Sequence, residues 1–365
     1  MIERYLADLE ARINADVEDR LYAEWKAFTD GAFDGSIFSP QRVRRSPPGV
    51  AWPHVSVTVA LEDYDLMALQ QLGACSVALA EGTGALMAVR CNYGTGIMPT
   101  LFGATLFVMD EATDTLPTSI PLVGLEHATA DGAMQTSATS KVVDVIKALL
   151  DRGIPDLHTG LGGKVLAMAE QYGALFDPYP KIRRYVHVYH PDLQGPMDIC
   201  ELLWGSGLFV ALLEMPDLVT ALLELVTETY AHFMRAWADI IPFEDGYNVH
   251  WAMLHEGNIM LRDDSAMNLS PRMFETFIQP YDGRLLRELG GGALHFCGRG
   301  DHYIQHAARM AGLNAINLSQ PEYNKMDAIF DHTVDKGLRI IGLPRPAAEA
   351  ALARGRDLRG CVHCW

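Results

Sequence analysis

Two good metal ligands stand one residue apart in the run Gly290-Gly291-Gly292-Ala293-Leu294-His295-Phe296-Cys297-Gly298. If this apolar run is a strand, side chains two apart share a face, so His295 and Cys297 converge while Phe296 packs away. One imidazole and one thiolate are half of a tetrahedral zinc shell. An isolated His-x-Cys is more often a buried core pair, so the metal reading depends on what else joins it. The terminal run Arg359-Gly360-Cys361-Val362-His363-Cys364-Trp365 holds further ligand types, although a frayed tail explains it equally well.

Other candidates are spread upstream. The segment Arg90-Cys91-Asn92-Tyr93-Gly94-Thr95-Gly96 is too rich in glycine for a helix or strand interior, so it forms a loop. Arg90, Asn92 and Tyr93 on such a loop are a candidate wall for a substrate or cofactor, with a structural turn cluster as the competing explanation. Its Gly-x-Gly follows no clear strand and lacks the third glycine of a dinucleotide fingerprint. Glu81 and His190 end candidate strands, where parallel barrels carry their chemistry. Arg42, Arg44 and Arg45 could clamp carboxylates, but solvated surface charge is the commoner role of such a cluster.

The elements that must position these residues alternate. Residues 1 to about 28 read as an acidic amphipathic helix, an outer helix or a dimer contact. A Gly- and Pro-rich stretch follows to about residue 53. A helix over 63–72 and a buried strand over 73–81 come next. Helical pattern fills 137–175, a strand runs over 184–190, a long helix covers 216–240 and another strand 248–254, before a polar loop over 255–265. Ser270 caps a helix with Pro271 at its first position. Beyond His295 the pattern predicts helix over 298–312, strand over 313–318, helix over 325–336, strand over 338–343 and a short helix over 346–353. Strand and helix in alternation imply parallel pairing with helical crossovers. The repetition predicts an α/β fold, a single (β/α)8 TIM-type barrel over 54–365 with an N-terminal helical extension over 1–53.

Composition narrows the function. With 46 acidic against 29 basic residues the formal net charge is −17, which argues against nucleic acid or an anionic membrane as partner. The six cysteines, at 75, 91, 200, 297, 361 and 364, show no framework spacing and read as reduced thiols of a cytoplasmic protein. Neither a signal peptide at the N-terminus nor an apolar run of about 18 residues is visible.

Two stretches carry a family resemblance. The run Gln194-Gly195-Pro196 through Trp204-Gly205, with Glu214-Met-Pro-Asp-Leu-Val219, and the run Asp263-Asp264-Ser265 through Ser270-Pro271, Gln279-Pro280-Tyr281 and His295-Phe-Cys-Gly298 resemble the uroporphyrinogen decarboxylase superfamily. The match covers roughly residues 185–345 and implies a (β/α)8 barrel. The decarboxylase branch carries an N-terminal arginine segment for the substrate's acetates and propionates, absent here, and a tyrosine where this chain has Leu202. The methyltransferase branch instead binds zinc through His-x-Cys and a later cysteine. The resemblance therefore implies zinc on His295, Cys297 and Cys361, with Cys364 in reserve and His363 also open. It places Asp263, in the family's Asp-Ser motif, as a catalytic or orienting group. It implies methyl transfer between a corrinoid, free or on a partner protein, and a thiol-type acceptor, with decarboxylation or a non-catalytic tetrapyrrole-binding barrel as alternatives.

Overall fold

Short runs of β-branched and other apolar residues in the carboxyl-terminal half lie side by side, each returned by a helix. The computed structural model describes residues 2–123, 136–244 and 246–365. In chain order the strands are β1 (Ile37–Phe38), β2 (Ala88–Val89), β3 (Thr105–Phe107), β4 (Thr118–Ile120), β5 (His187–Val188) and β6 (Tyr247–His250). They continue with β7 (Met253–Glu256), β8 (Ile259–Arg262), β9 (Gly292–Phe296), β10 (Leu313–Leu318), β11 (Arg339–Ile340) and β12 (Val362–His363). Six of them form one all-parallel sheet in the order β1-β12-β11-β10-β9-β8. Parallel neighbours need crossovers. Helices such as Gln279–Glu288, Met326–His332 and Arg345–Ala353 supply them. A separate parallel pair joins β2 to β5, while β3-β4 and β6-β7 are antiparallel. The fold is thus mixed α/β, and strand hydrogen bonding among the described residues does not close into a ring.

Period-two alternation sorts the strand residues onto two faces. Leu294, Phe296, Ile316, Leu318 and Val362 join the larger core, which most of the helices share. Ala293, Ala315, Met260, Ile341 and Phe38 face a second cluster with Trp25, Phe28, Met253 and Leu254. His295 has the parity of Ala293. The small alanines leave room on that face for the β6-β7 hairpin.

Several elements differ from the sequence expectation. Residues 73–81 are not a strand but the second half of a helix, Tyr64–Glu81, so Glu81 ends a helix. Its Asp63 side chain accepts the Leu66 N–H, and Gly82 closes it at φ 69°. Buried on most sides, this segment has the continuous apolar run that periodicity cannot assign to helix or strand. The expected strand 248–254 is a hairpin that turns at Trp251 and Ala252, both at positive φ. The expected polar loop 255–265 contains β8, and helix over 298–312 is limited to Ile304–Ala307. The amino-terminal helix is two helices, Glu3–Arg12 and Ala15–Thr29, because Asn14 leaves the helical region and caps the second through the Val17 N–H. Downstream of them, β1 pairs with β12, so residues before 54 supply a strand to the sheet. Among the described residues no single helix is long and apolar enough to cross a membrane.

Candidate metal site at the carboxyl end of the sheet

Arg262, the last residue of β8, is the register partner of His295, the last but one of β9. Beyond them the chain carries Asp264 on one side and Cys297 on the other. The ligand atoms of Asp264, His295 and Cys297 all lie within 4.8 Å of one another. Cys297 Sγ is 3.4 Å and Asp264 Oδ1 is 3.6 Å from His295 Nε2. The expected convergence of His295 and Cys297 is therefore present, and Asp264 joins them.

Neighbouring residues orient each member. Asn317, the β10 partner of His295, accepts the Nδ1–H at 2.6 Å while its own amide donates to the Ile341 carbonyl, which sets the amide's orientation. With Nδ1 carrying the proton, the Nε2 lone pair faces Cys297. The tautomer is thus the one a metal requires. Burial keeps the His295 pKa below its ordinary value. Asp264 Oδ1 accepts the Cys297 N–H at 2.8 Å. Burial, then the Asp264 charge, push the Cys297 thiol up to about 11, against the pull of a hydrogen bond from Ser319. Asn317 and Ser319 repeat at the end of β10 the spacing of His295 and Cys297 at the end of β9. Gly298, at φ 70°, turns the chain away directly after the thiol.

The three side chains fit a zinc ion. Tetrahedral ligands at bond lengths of about 2.0–2.3 Å lie roughly 3.3–3.6 Å from one another, and the 3.4 and 3.6 Å separations match. His295 is nearly buried, whereas the Asp264 side chain is 38% exposed and Cys297 half-buried, so the cluster opens outward on one side.

Beneath the triad lies a charged floor. Asp192 pairs with both Arg90 and Arg262. Burial opposes the Asp192 charge, but the Arg262 and Arg90 guanidiniums outweigh it and hold its pKa below the usual carboxylate range. Arg262 also reaches His250 Nε2 at 2.7 Å and lies over the Trp251 ring at 4.7 Å. The same indole meets the His295 ring edge-on, 4.9 Å between centroids. A hairpin turn with two non-glycine residues at positive φ, which costs of order 1–3 kcal/mol per residue, is thereby held against the metal-capable histidine.

The remaining expected residues fall elsewhere. Arg90 reaches the floor through Asp192, but Asn92 is buried and donates to Gln70, and Tyr93 is buried in the main core. His190 is fully buried with both ring nitrogens committed, Nδ1 to the Pro191 carbonyl and Nε2 to the Met260 N–H, so it has no atom free for a cofactor. Burial drives its pKa down to about 3. Glu81 lies where its helix leads toward the start of β2, the opposite end of a strand from the one that bears the triad. Asp263 points away from the triad, fully buried under Gly195, where a Cβ would collide with Asp263 Oδ1 and lie 2.7 Å from the Arg262 carbonyl. Its carboxyl faces that of Asp282, and burial raises both pKa values so that the pair keeps a proton. Cys361 and Cys364 join no metal-capable group among the described residues. The sulfur of Cys361 accepts from Arg339, and Cys364 sits in the larger core. Asp264, Asp192, Arg262, Asn317 and Trp251 were not singled out from the sequence. The Asn317-x-Ser319 repeat at a strand end is the one signal that marks part of this set.

A parallel α/β sheet with a histidine, a thiol and a carboxylate converging past its strand ends is the class of protein defined here. No family model matches the chain, and no curated protein does. The fold is similar to that of a methyltransferase from Methanosarcina mazei, with a TM-score of 0.56 over 85% of this chain and 81% of that one at 15% identity. At that identity the likeness concerns the fold.

Proposed function

We propose that the protein is a zinc-dependent methyltransferase, related to the methyltransferase branch of the uroporphyrinogen decarboxylase superfamily, that moves a methyl group between a corrinoid and a thiol. The observation that carries this reading is the convergence of Asp264, His295 and Cys297. The six-stranded parallel sheet and the separate parallel β2-β5 pair are compatible with a (β/α)8 architecture, and the likeness in fold is to a methyltransferase. In such a barrel the loops after the strands form the mouth that admits substrate.

His295 Nε2, Cys297 Sγ and an Asp264 oxygen would hold the ion, with the fourth position left to substrate. Zinc held there would lower the pKa of a substrate thiol in contact with it and supply the thiolate at neutral pH. Asn317 keeps the imidazole aimed, and Trp251, with Arg262 over its ring, packs edge-on against the imidazole. With a methylcorrinoid as substrate, the methyl group would pass to the thiol sulfur, the bonding pair would stay with the corrinoid, and the thiol proton would go to solvent. The test is incubation of zinc-loaded protein with methylcobalamin and dithiothreitol, followed by mass spectrometry of the thiol. S-methylation that disappears on chelation and in Cys297→Ser is expected. Methylation indifferent to both would refute the assignment.

A further inference from the structure

The Asp264 side chain is more than a third exposed and sits on a loop, yet it must meet two nearly fixed partners. An exposed carboxylate on a free loop would sample many positions, and ordering it on metal binding would cost affinity. A buried group on a distant helix removes that freedom. Asp198, in the helix Pro196–Trp204, is 4% exposed and reaches across to the loop that follows β8. Its Oδ2 accepts the Asp264 N–H at 2.8 Å, and its Oδ1 accepts the Ser265 N–H at 2.9 Å and the Ser265 hydroxyl. Three donors on one buried carboxylate fix two consecutive peptide units. From that anchored backbone the Asp264 side chain reaches the Cys297 N–H. Asp198 is a poor fit to a purely structural capping role, because the 3-10 turn that begins at Ser265 is only four residues long.

We propose that Asp198 is the positioning residue of the metal site, holding the backbone of residues 264 and 265 so that the Asp264 carboxylate stands against His295 and Cys297. The inference rests on the metal reading above and adds to it a residue that touches neither ion nor substrate. It predicts that the effect of Asp198 runs through Asp264 and through no other ligand.

The experiment is a cobalt(II) titration of metal-free protein, followed by visible absorption, on wild type, Asp198→Asn, Asp264→Ala and the double variant. Loss of an orienting partner typically weakens metal binding 10- to 100-fold, and a weakening of that order is expected for Asp198→Asn. The thiolate-to-cobalt absorption persists in that variant because His295 and Cys297 remain. The double variant binds no more weakly than Asp264→Ala alone, since a residue that acts through Asp264 has nothing left to position. Binding by Asp198→Asn equal to wild type, or a full additional loss in the double variant, overturns the proposal. If wild type itself binds no cobalt, the metal reading fails and this proposal falls with it, a result distinct from the other two. Should Asp198→Asn not fold, Ser265→Ala removes a single donor from Asp198 and reads the same link. Several-fold weaker cobalt binding in Ser265→Ala supports the link, and unchanged binding overturns it.

Discussion

The end of β9 and the end of β12 carry the same ligand chemistry in the same sheet, yet the two regions do different things. His295 and His363 both stand one residue past the aligned row Leu294, Ile316, Ile340 and Val362, so they lie at similar height. At β9 the imidazole is aimed by Asn317 and has a thiol and a carboxylate for company on its open side. At β12 the imidazole is enclosed by the rings of Trp25, Phe38 and Trp365, and its Nδ1 accepts the Gly342 N–H. Burial there drives the His363 pKa down to about 3. Strand spacing makes side chains share a face. Whether they form a site depends on what covers that face, and at β12 the helix Ala15–Thr29 covers it with Trp25.

The comparison breaks most sharply under exchange of roles. His295→Ala should lose zinc from about one ion per chain to none while the metal-free protein keeps its unfolding midpoint within a few degrees. Trp25→Ala should do the reverse, costing about 3–5 kcal/mol in urea unfolding, as a buried tryptophan does, with zinc content unchanged. A Trp25→Ala protein that folds but binds no zinc would merge the two regions into one.

A smaller effect separates aiming from binding. Asn317→Ala should weaken zinc about 10-fold, measured by competition with a chelator, because the imidazole loses the acceptor that fixes its tautomer. Equal affinity would mean that the tautomer is set elsewhere.

A separate, pH-dependent effect concerns the buried Asp263–Asp282 pair behind the site. Its folded pKa is raised, Asp282 to about 7, so its contribution to stability is present below the unfolded value near 4 and is lost as pH rises through about 7. Asp282→Asn removes the titration. Its stability relative to wild type should therefore grow with pH, by roughly 1 kcal/mol per pH unit between about 5 and 7. A flat difference across that range would show that the pair holds no extra proton.

Legibility followed the range of the forces involved. Period-two spacing is local, and it identified both β9 and the shared face of His295 and Cys297. The capped helix from Pro271 was likewise readable from Ser270, whose hydroxyl accepts the Met273 N–H. The helix Tyr64–Glu81 was not, because its buried run has no polar face to show its period. The turn at Trp251–Ala252 was hidden too, since it lacks the glycine or asparagine that usually marks such a turn. Asp264 was hidden beside Asp263 for a longer-range reason. Which of two adjacent acids faces the His295–Cys297 pair is decided by Gly195 and Asp198, some 65 residues away in sequence and brought near only by the fold. Cys361 stands apart from the triad for a related reason, since its sulfur meets Arg339, which the pairing of β11 with β12 brings beside it.

On the proposed function, zinc binds at the end of β9 and not at β12. Zinc content of purified wild type, Cys297→Ser and the Cys361→Ser/Cys364→Ser double variant, by mass spectrometry of the metal, tests it directly. The account predicts about one ion, none, and about one ion respectively. Zinc retained by Cys297→Ser, or lost from the double variant, would contradict it.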